Sequence, residues 1–112
     1  MKIESRIEDG VVVVHAGGRM TLDQITDLDF AVRRHLESGS RKFVLNLADV
    51  TDISSTGVGR LYQLHTNLEL SQGRMILADI SQVCEYVLDL ARMNDVFTIM
   101  TTEAAAIKEL AD

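Results

Sequence analysis

The chain lacks proline and tryptophan, has one cysteine, and contains no hydrophobic run long enough to span a membrane. Without proline, its turns depend on Gly, Asn, Asp and Ser. The single cysteine, Cys84, excludes an internal disulfide and is consistent with a reducing compartment. Aromatic residues make up only 4% of the chain, so aliphatic side chains must dominate the core. The first six residues contain no apolar signal segment, which predicts a cytoplasmic protein.

A shortage of basic residues limits the classes of partner. The formal net charge is -6, and no basic cluster interrupts the acidic balance. Nucleic acids and anionic membranes bind basic surfaces, so we expect neither as a partner. A length of 112 residues predicts one domain, covering residues 1–112.

Hydrophobic periodicity predicts an α/β fold with the element order β-β-α-β-α-β-α-β-α. An N-terminal hairpin is expected to end at Gly17 and Gly18, and residues 48–53 are expected to form a loop. The alternation from residue 43 onward implies parallel strands, and the hairpin adds an antiparallel one. The prediction is therefore a mixed sheet of about five strands with about four helices. The predicted strands lie near residues 2–7, 11–14, 43–47, 75–78 and 96–99. Of the predicted helices, the first follows Thr21, which can cap it, and the second follows the turn at 53–59. Asp79 or Ser81 could cap the third, and the last is predicted to run from Thr102 to Leu110.

The usual catalytic and metal-binding side chains are scattered. His15, His35 and His65 fall on different elements, and none has a second ligand at metal-site spacing. No metal ion or other cofactor is therefore expected. Cys84 is followed by Glu85 in an acidic chain, which is the opposite of the electropositive setting that a reactive thiolate needs. We interpret Cys84 as a structural thiol.

The most informative segment is Ile53-Ser54-Ser55-Thr56-Gly57-Val58-Gly59, where a loop becomes an amphipathic helix. It matches neither a phosphate-binding loop nor the elbow that carries a hydrolase nucleophile. Ser54 or Ser55 could cap the helix. Alternatively, a serine here could accept a phosphate, which a helix N-terminus tolerates. A hydrolase that uses Ser55 as its nucleophile is a third possibility, but the sequence suggests no base for it.

This segment, preceded by the strand at residues 43–47, resembles the STAS domain of the anti-sigma factor antagonist family. Weaker similarities run through most of the chain, at residues 17–21, 73–77 and 90–97. The resemblance implies a non-enzymatic regulator that works by partner switching. Unphosphorylated, such a protein binds an anti-sigma factor that is also a serine kinase. Phosphorylation at the start of the second helix releases it, and a serine phosphatase reverses the change.

The resemblance also implies which residues act. Ser55 occupies the position of the phosphoacceptor. The expected docking surface around it consists of Thr21, Asp23, Ser54, Thr56, Gly57 and Arg60. Ser54 and Thr21 stand where family members commonly have acidic residues, which could change the kinase that docks.

A second function is compatible with the same fold. STAS-like domains also serve as scaffolds or regulatory subunits, for example of transporter ATPases, without any phosphorylation switch. The two missing acidic residues favour this alternative slightly. In either case a monomer is expected.

Overall fold

The computed structural model describes residues 2–112, so Met1 of the predicted domain lies outside the described residues. Five strands and four helices follow the predicted order. The strands are β1 (Lys2–Glu8), β2 (Val11–Met20), β3 (Lys42–Ile53), β4 (Arg74–Ala78) and β5 (Thr98–Met100). The helices are α1 (Leu22–Glu37), α2 (Ser55–Leu70), α3 (Gln82–Leu90) and α4 (Glu103–Ala111). Within residues 2–112, no helix combines the length and hydrophobicity needed to cross a membrane.

The five strands form one mixed sheet in the order β1-β2-β3-β4-β5. β1 pairs with β2 in antiparallel fashion, and the other three pairings are parallel. Each parallel connection leads to the next strand on the same side, and such connections are right-handed. Helices α1, α2 and α3 therefore pack on the same face of the sheet. Helix α4 covers the opposite face over a smaller cluster of strand residues. The predicted fold class is confirmed.

Alternate residues of the central strands supply the two sides of the core. On β2, Val12 and Val14 contact the layer of three helices, and Val11 and Val13 contact α4. All four valines are almost completely buried. This two-sided burial explains why the segment has a continuous apolar sequence instead of an alternating one.

Two predicted boundaries around the middle of the sheet are wrong. Gly17 and Gly18 do not end the hairpin, because β2 continues to Met20. The predicted loop at 48–53 is the second half of β3. These two segments pair with each other after shifts of register, whereas β4 already ends opposite Asn46. The polar residues of this half-strand are exposed, and this exposure made it look like a loop.

The last third of the chain contains smaller corrections. Strand β5 begins at Thr98 instead of residue 96. Thr102 is the N-cap of α4 and precedes the helix. Of the two proposed caps of α3, Ser81 takes the role, accepting a hydrogen bond from the Cys84 amide. Asp79 instead accepts a hydrogen bond of 2.8 Å from the backbone amide of Glu103.

Glu103 fastens α4 to the sheet. Its carboxylate contacts Arg6 Nη2 on β1 at 2.8 Å, His15 Nε2 on β2 at 2.6 Å and Asn46 Nδ2 on β3 at 3.1 Å. Partial burial disfavours the charged carboxylate and acts to raise its pKa. The hydrogen bonds from Arg6 and Asn46, together with the nearby His15, favour the charged form and have the larger effect. The pKa of Glu103 is therefore lowered from its ordinary value.

This network predicts that Glu103→Gln lowers the free energy of unfolding at pH 7 by about 1–2 kcal/mol. A lowered pKa in the folded state means that the charge stabilises the fold above the ordinary value of 4.5, and that this contribution disappears as the pH falls through the folded-state pKa. Urea denaturation between pH 7 and pH 3 should show that the difference in unfolding free energy between wild type and Glu103→Gln becomes smaller as the pH falls. Glu109→Gln, an exposed carboxylate on the same helix, is the control and should change little. A gap that persists unchanged in acid would contradict this account.

Candidate functional site

All four helices begin at the carboxyl edge of the parallel strands. Their N-caps are the hydroxyl residues Thr21, Ser54, Ser81 and Thr102, each accepting a hydrogen bond from a backbone amide in the first turn of its helix. Helix N-termini carry partial positive charge, so this edge favours anionic groups in spite of the acidic chain. In open α/β sheets this edge is where ligands and partners usually bind.

The two adjacent serines at the start of α2 have different roles. Ser54 has an extended backbone, and its hydroxyl accepts a hydrogen bond of 3.0 Å from the Gly57 amide. It is therefore the helix cap. Ser55 is the first helical residue and is exposed. Among residues 2–112, no group hydrogen-bonds to the Ser55 hydroxyl, which leaves it accessible to a partner.

Gly57 lies beneath this surface. It is buried, and a Cβ atom added there would lie 3.0 Å from Ile53 Cγ1 and 3.2 Å from Ile25 Cδ1. The first turn of α2 therefore packs directly on the end of β3 and on α1. Gly59 differs, because nothing lies within 4 Å of an added Cβ. Gly57 therefore supports the predicted docking surface through this packing, but it is itself buried.

The other residues predicted for the docking surface lie at the starts of α1 and α2. Met20 and Ile53 are register partners at the ends of β2 and β3, so the helices that follow them begin side by side. Thr21 and Asp23, at the start of α1, are exposed. On α2, Thr56 is exposed and Arg60 is half-buried. We call Thr21, Asp23, Ser54, Ser55, Thr56 and Arg60 the Ser55 corner.

One ion pair near the Ser55 corner was missed by the sequence reasoning. Arg19 Nε lies 3.8 Å from Asp52 Oδ2, and both side chains are mostly exposed. Their proximity comes from the paired ends of β2 and β3, where they are register partners. Treating residues 48–53 as a loop concealed this relationship. An exposed pair of this kind contributes little to stability, but it places a charge of each sign at the paired ends of β2 and β3.

No histidine is available to activate Ser55 as a nucleophile. His15 contacts Glu103, His35 Nε2 lies 3.0 Å from the Ser5 hydroxyl, and His65 Nε2 lies 3.2 Å from Glu69. His65 is buried and lies against the rings of Tyr62 and Phe97. All three histidines are therefore engaged elsewhere, and none supplies the base that the hydrolase alternative would need.

The cysteine and the candidate metal ligands agree with the interpretation from the sequence within the described residues. Burial raises the pKa of the Cys84 thiol, although its hydrogen bond with Ser81 acts in the opposite direction, so the reactive thiolate is disfavoured. Within residues 2–112, no three His, Cys, Asp or Glu side chains come together in a way that could hold a metal ion.

The sequence pattern of the STAS domain matches residues 2–106 of this chain. The chain belongs to the STAS domain family. The crystal structure of the Thermotoga maritima protein TM1081 is similar to this STAS domain, with a TM-score of 0.86 and 23% identity over 98% of this chain and 95% of that one. An anti-sigma factor antagonist from Mycobacterium paratuberculosis has a TM-score of 0.84 and 19% identity, over 99% and 94% of the two chains.

The STAS fold is also shared with the anti-sigma factor antagonist SpoIIAA. Its unphosphorylated form has a TM-score of 0.78 and 19% identity, over 96% of this chain and 95% of that one. The phosphorylated form, from Bacillus, has a TM-score of 0.72 and 19% identity, over 96% and 98%. At such identities the similarity shows a common fold. No curated protein sequence matches this STAS domain.

The contrast between the two glycines generates a prediction for this STAS domain. Gly57→Ala should lower the free energy of unfolding by about 1–3 kcal/mol, because the new methyl group meets packed Ile53 and Ile25 side chains. Gly59→Ala should raise it by about 0.5–1 kcal/mol, since alanine favours the helix and the site is open. Thermal or urea denaturation of both variants measures the difference. Equal effects of the two substitutions would show that close packing under the first turn of α2 is not a constraint.

Proposed function

We propose that this chain is an anti-sigma factor antagonist that acts by partner switching, with Ser55 as the phosphoacceptor. In the unphosphorylated state the Ser55 corner binds an anti-sigma factor that is also a serine kinase. Phosphorylation of Ser55 ends this complex, and a serine phosphatase restores it. Family membership and the resemblance of the segment at residues 53–59 to the antagonist motif support the proposal.

The observation that carries the proposal is the division of roles between Ser54 and Ser55. A kinase must reach a hydroxyl that is exposed and not already engaged by the fold. Ser55 meets both conditions, while Ser54 supplies the helix cap through Gly57. Phosphorylating Ser55 therefore removes no hydrogen bond that stabilises α2.

Charge explains how phosphorylation could release the partner without altering the fold. A phosphoserine carries about -1.5 to -2 charges at neutral pH. At the first residue of α2 these charges are favoured by the unpaired amides and the helix dipole. In a close interface the same group must lose its water. A penalty of about 3 kcal/mol would weaken binding by roughly a hundredfold. The switch therefore acts on the interface, and the similarity of this fold to both forms of SpoIIAA supports that view.

The two departures from the family pattern have a common physical basis. Ser54 and Thr21, which replace the usual acidic residues, both occupy N-cap positions. Ser, Thr, Asp and Asn serve almost equally well as caps, so the replacements preserve helix capping. What they remove is negative charge on either side of Ser55. We expect the cognate kinase to have fewer basic residues facing this corner.

The proposal predicts the behaviour of three baits in affinity capture from source-cell lysate. Wild type and Ser55→Ala should retain a kinase-like anti-sigma factor, identified by mass spectrometry. Ser55→Glu should recover about tenfold less of it, because a carboxylate carries less charge than a phosphate. The same lysate with ATP should phosphorylate wild type at Ser55 and leave Ser55→Ala unmodified at this helix start.

Ala104→Glu provides the matched control, since it adds a negative charge to the first turn of α4 on the other face of the sheet. It should retain the partner like wild type. If all baits recover the same transporter ATPase or scaffold protein, the switching function is wrong and the regulatory-subunit alternative is favoured.

A further inference from the structure

The first strand of the sheet has one open edge. β1 pairs with β2 on one side, and among residues 2–112 no strand pairs with it on the other. Its register with β2 runs from Lys2 to Glu8 without a bulge, and it contains no proline. An open edge of this length can accept another strand, whereas β5, at the opposite end of the sheet, is only three residues long.

The turn after β1 determines which of its backbone groups point outwards. Asp9 and Gly10 form the whole connection to β2, and both have positive φ angles, of 54° and 77°. In such a two-residue hairpin the residues that flank the turn form a hydrogen-bonded pair. Hydrogen-bonded and non-hydrogen-bonded pairs alternate, so every second residue of β1 directs its amide and carbonyl to the open edge. These outward residues are Ile3, Ser5 and Ile7.

The sequence of β1 is complementary to itself in the antiparallel direction. When two copies are paired around Ser5, Ile3 of one lies opposite Ile7 of the other, and Glu4 lies opposite Arg6. Each of these pairs occurs twice, because the arrangement has twofold symmetry. Apolar and oppositely charged residues that face each other stabilise a pair of strands. This register also sets outward residues opposite outward residues, as an antiparallel ladder requires.

The same charges disfavour the other registers. A shift of two residues in one direction places Glu4 opposite Glu4, and a shift in the other direction places Arg6 opposite Arg6. A shift of one residue sets outward residues opposite inward ones, which breaks the ladder. Charged residues usually protect an edge strand from pairing. In β1 their order instead permits one antiparallel register.

Two exposed apolar side chains lie where a second copy would cover them. Ile3 lines the same surface pocket as Phe30 of α1, and Ile7 is on the same face of β1 as Ile3. The exposed fraction is 62% for Ile7 and 68% for Phe30. Pairing around Ser5 places Ile7 of one copy beside Ile3 of the other, and therefore close to Phe30 of that other copy.

We propose that this chain forms a symmetric dimer through β1, which joins two five-stranded sheets into one continuous sheet. The monomer expected from the sequence is replaced, because the complementarity has a meaning only once β1 is known to be an edge. The net charge of -6 on each copy opposes association, so the dimer is reversible and its fraction rises with protein concentration. Ser55 follows β3, which β2 separates from β1, and takes no part in this pairing.

Sedimentation equilibrium of the full chain between about 10 µM and about 1 mM measures the dimer. Wild type should change from monomer to dimer over this range. Ser5→Pro removes the amide at the centre of the pairing, and edge strands tolerate proline where the amide points outwards. It should weaken dimerisation by about tenfold or more. Ser5→Ala is the matched control, since it loses the hydroxyl contact with His35 but keeps the amide, and it should dimerise like wild type.

A second pair of variants tests the apolar part of the interface without touching the backbone. Ile7→Ser changes an exposed side chain, so the monomer should keep its stability. The dimer should be weakened by about tenfold, because both copies lose the contact. Leu70→Ser, which changes an exposed side chain of α2, should dimerise like wild type.

The register is measured in a mixture of ¹³C-labelled and unlabelled chains. Residues in non-hydrogen-bonded antiparallel pairs have Cα atoms about 4.5 Å apart. An isotope-filtered spectrum should therefore show a contact between the α-protons of Glu4 and Arg6 from different copies. A monomer at every concentration, an unweakened dimer in Ile7→Ser, or contacts between copies away from β1 and α1 would overturn the proposal. Ser55→Glu should dimerise like wild type, so the result is independent of the partner switch.

Discussion

The hydrogen bond from the Gly57 amide to the Ser54 hydroxyl determines what the next serine can do. With Ser54 committed to capping α2, Ser55 enters the helix with its hydroxyl in solvent. The burial of Gly57 against Ile53 and Ile25 then fixes the first turn on the sheet. A rigid helix start with one free hydroxyl can accept a phosphate without rearrangement, because its amides and dipole already favour negative charge.

The parallel arrangement of β2 to β5 makes this local feature part of a larger surface. Parallel strands bring every helix start to the same edge of the sheet, where the Ser55 corner lies. On the opposite face of the sheet, Glu103 links α4 to three strands through Arg6, His15 and Asn46. Helix α4 is thus tied to one face of the sheet, while the starts of the helices on the other face remain available for binding.

The sequence was sufficient where the relevant interactions are local. Apolar periodicity and N-cap chemistry operate within a few residues, and they correctly predicted the element order and the capping role of Thr21. Local pattern did not determine whether Ser54 or Ser55 caps α2, since that depends on the backbone angles. The second half of β3 was missed because its polar, exposed residues give it the pattern of a loop, and only its pairing with the end of β2 in the folded sheet makes it a strand.

The central claim is that phosphate at Ser55 changes the charge of an interface and leaves the fold as it is. The most direct measurement compares the amide spectra of the full chain with serine and with phosphoserine incorporated at position 55. The account predicts shifts confined to the starts of α1 and α2, together with an unchanged or higher free energy of unfolding, because the helix start favours the added charge. Shifts that extend through β1, β5 and α4, or a clear loss of stability, would show a conformational switch and contradict the account.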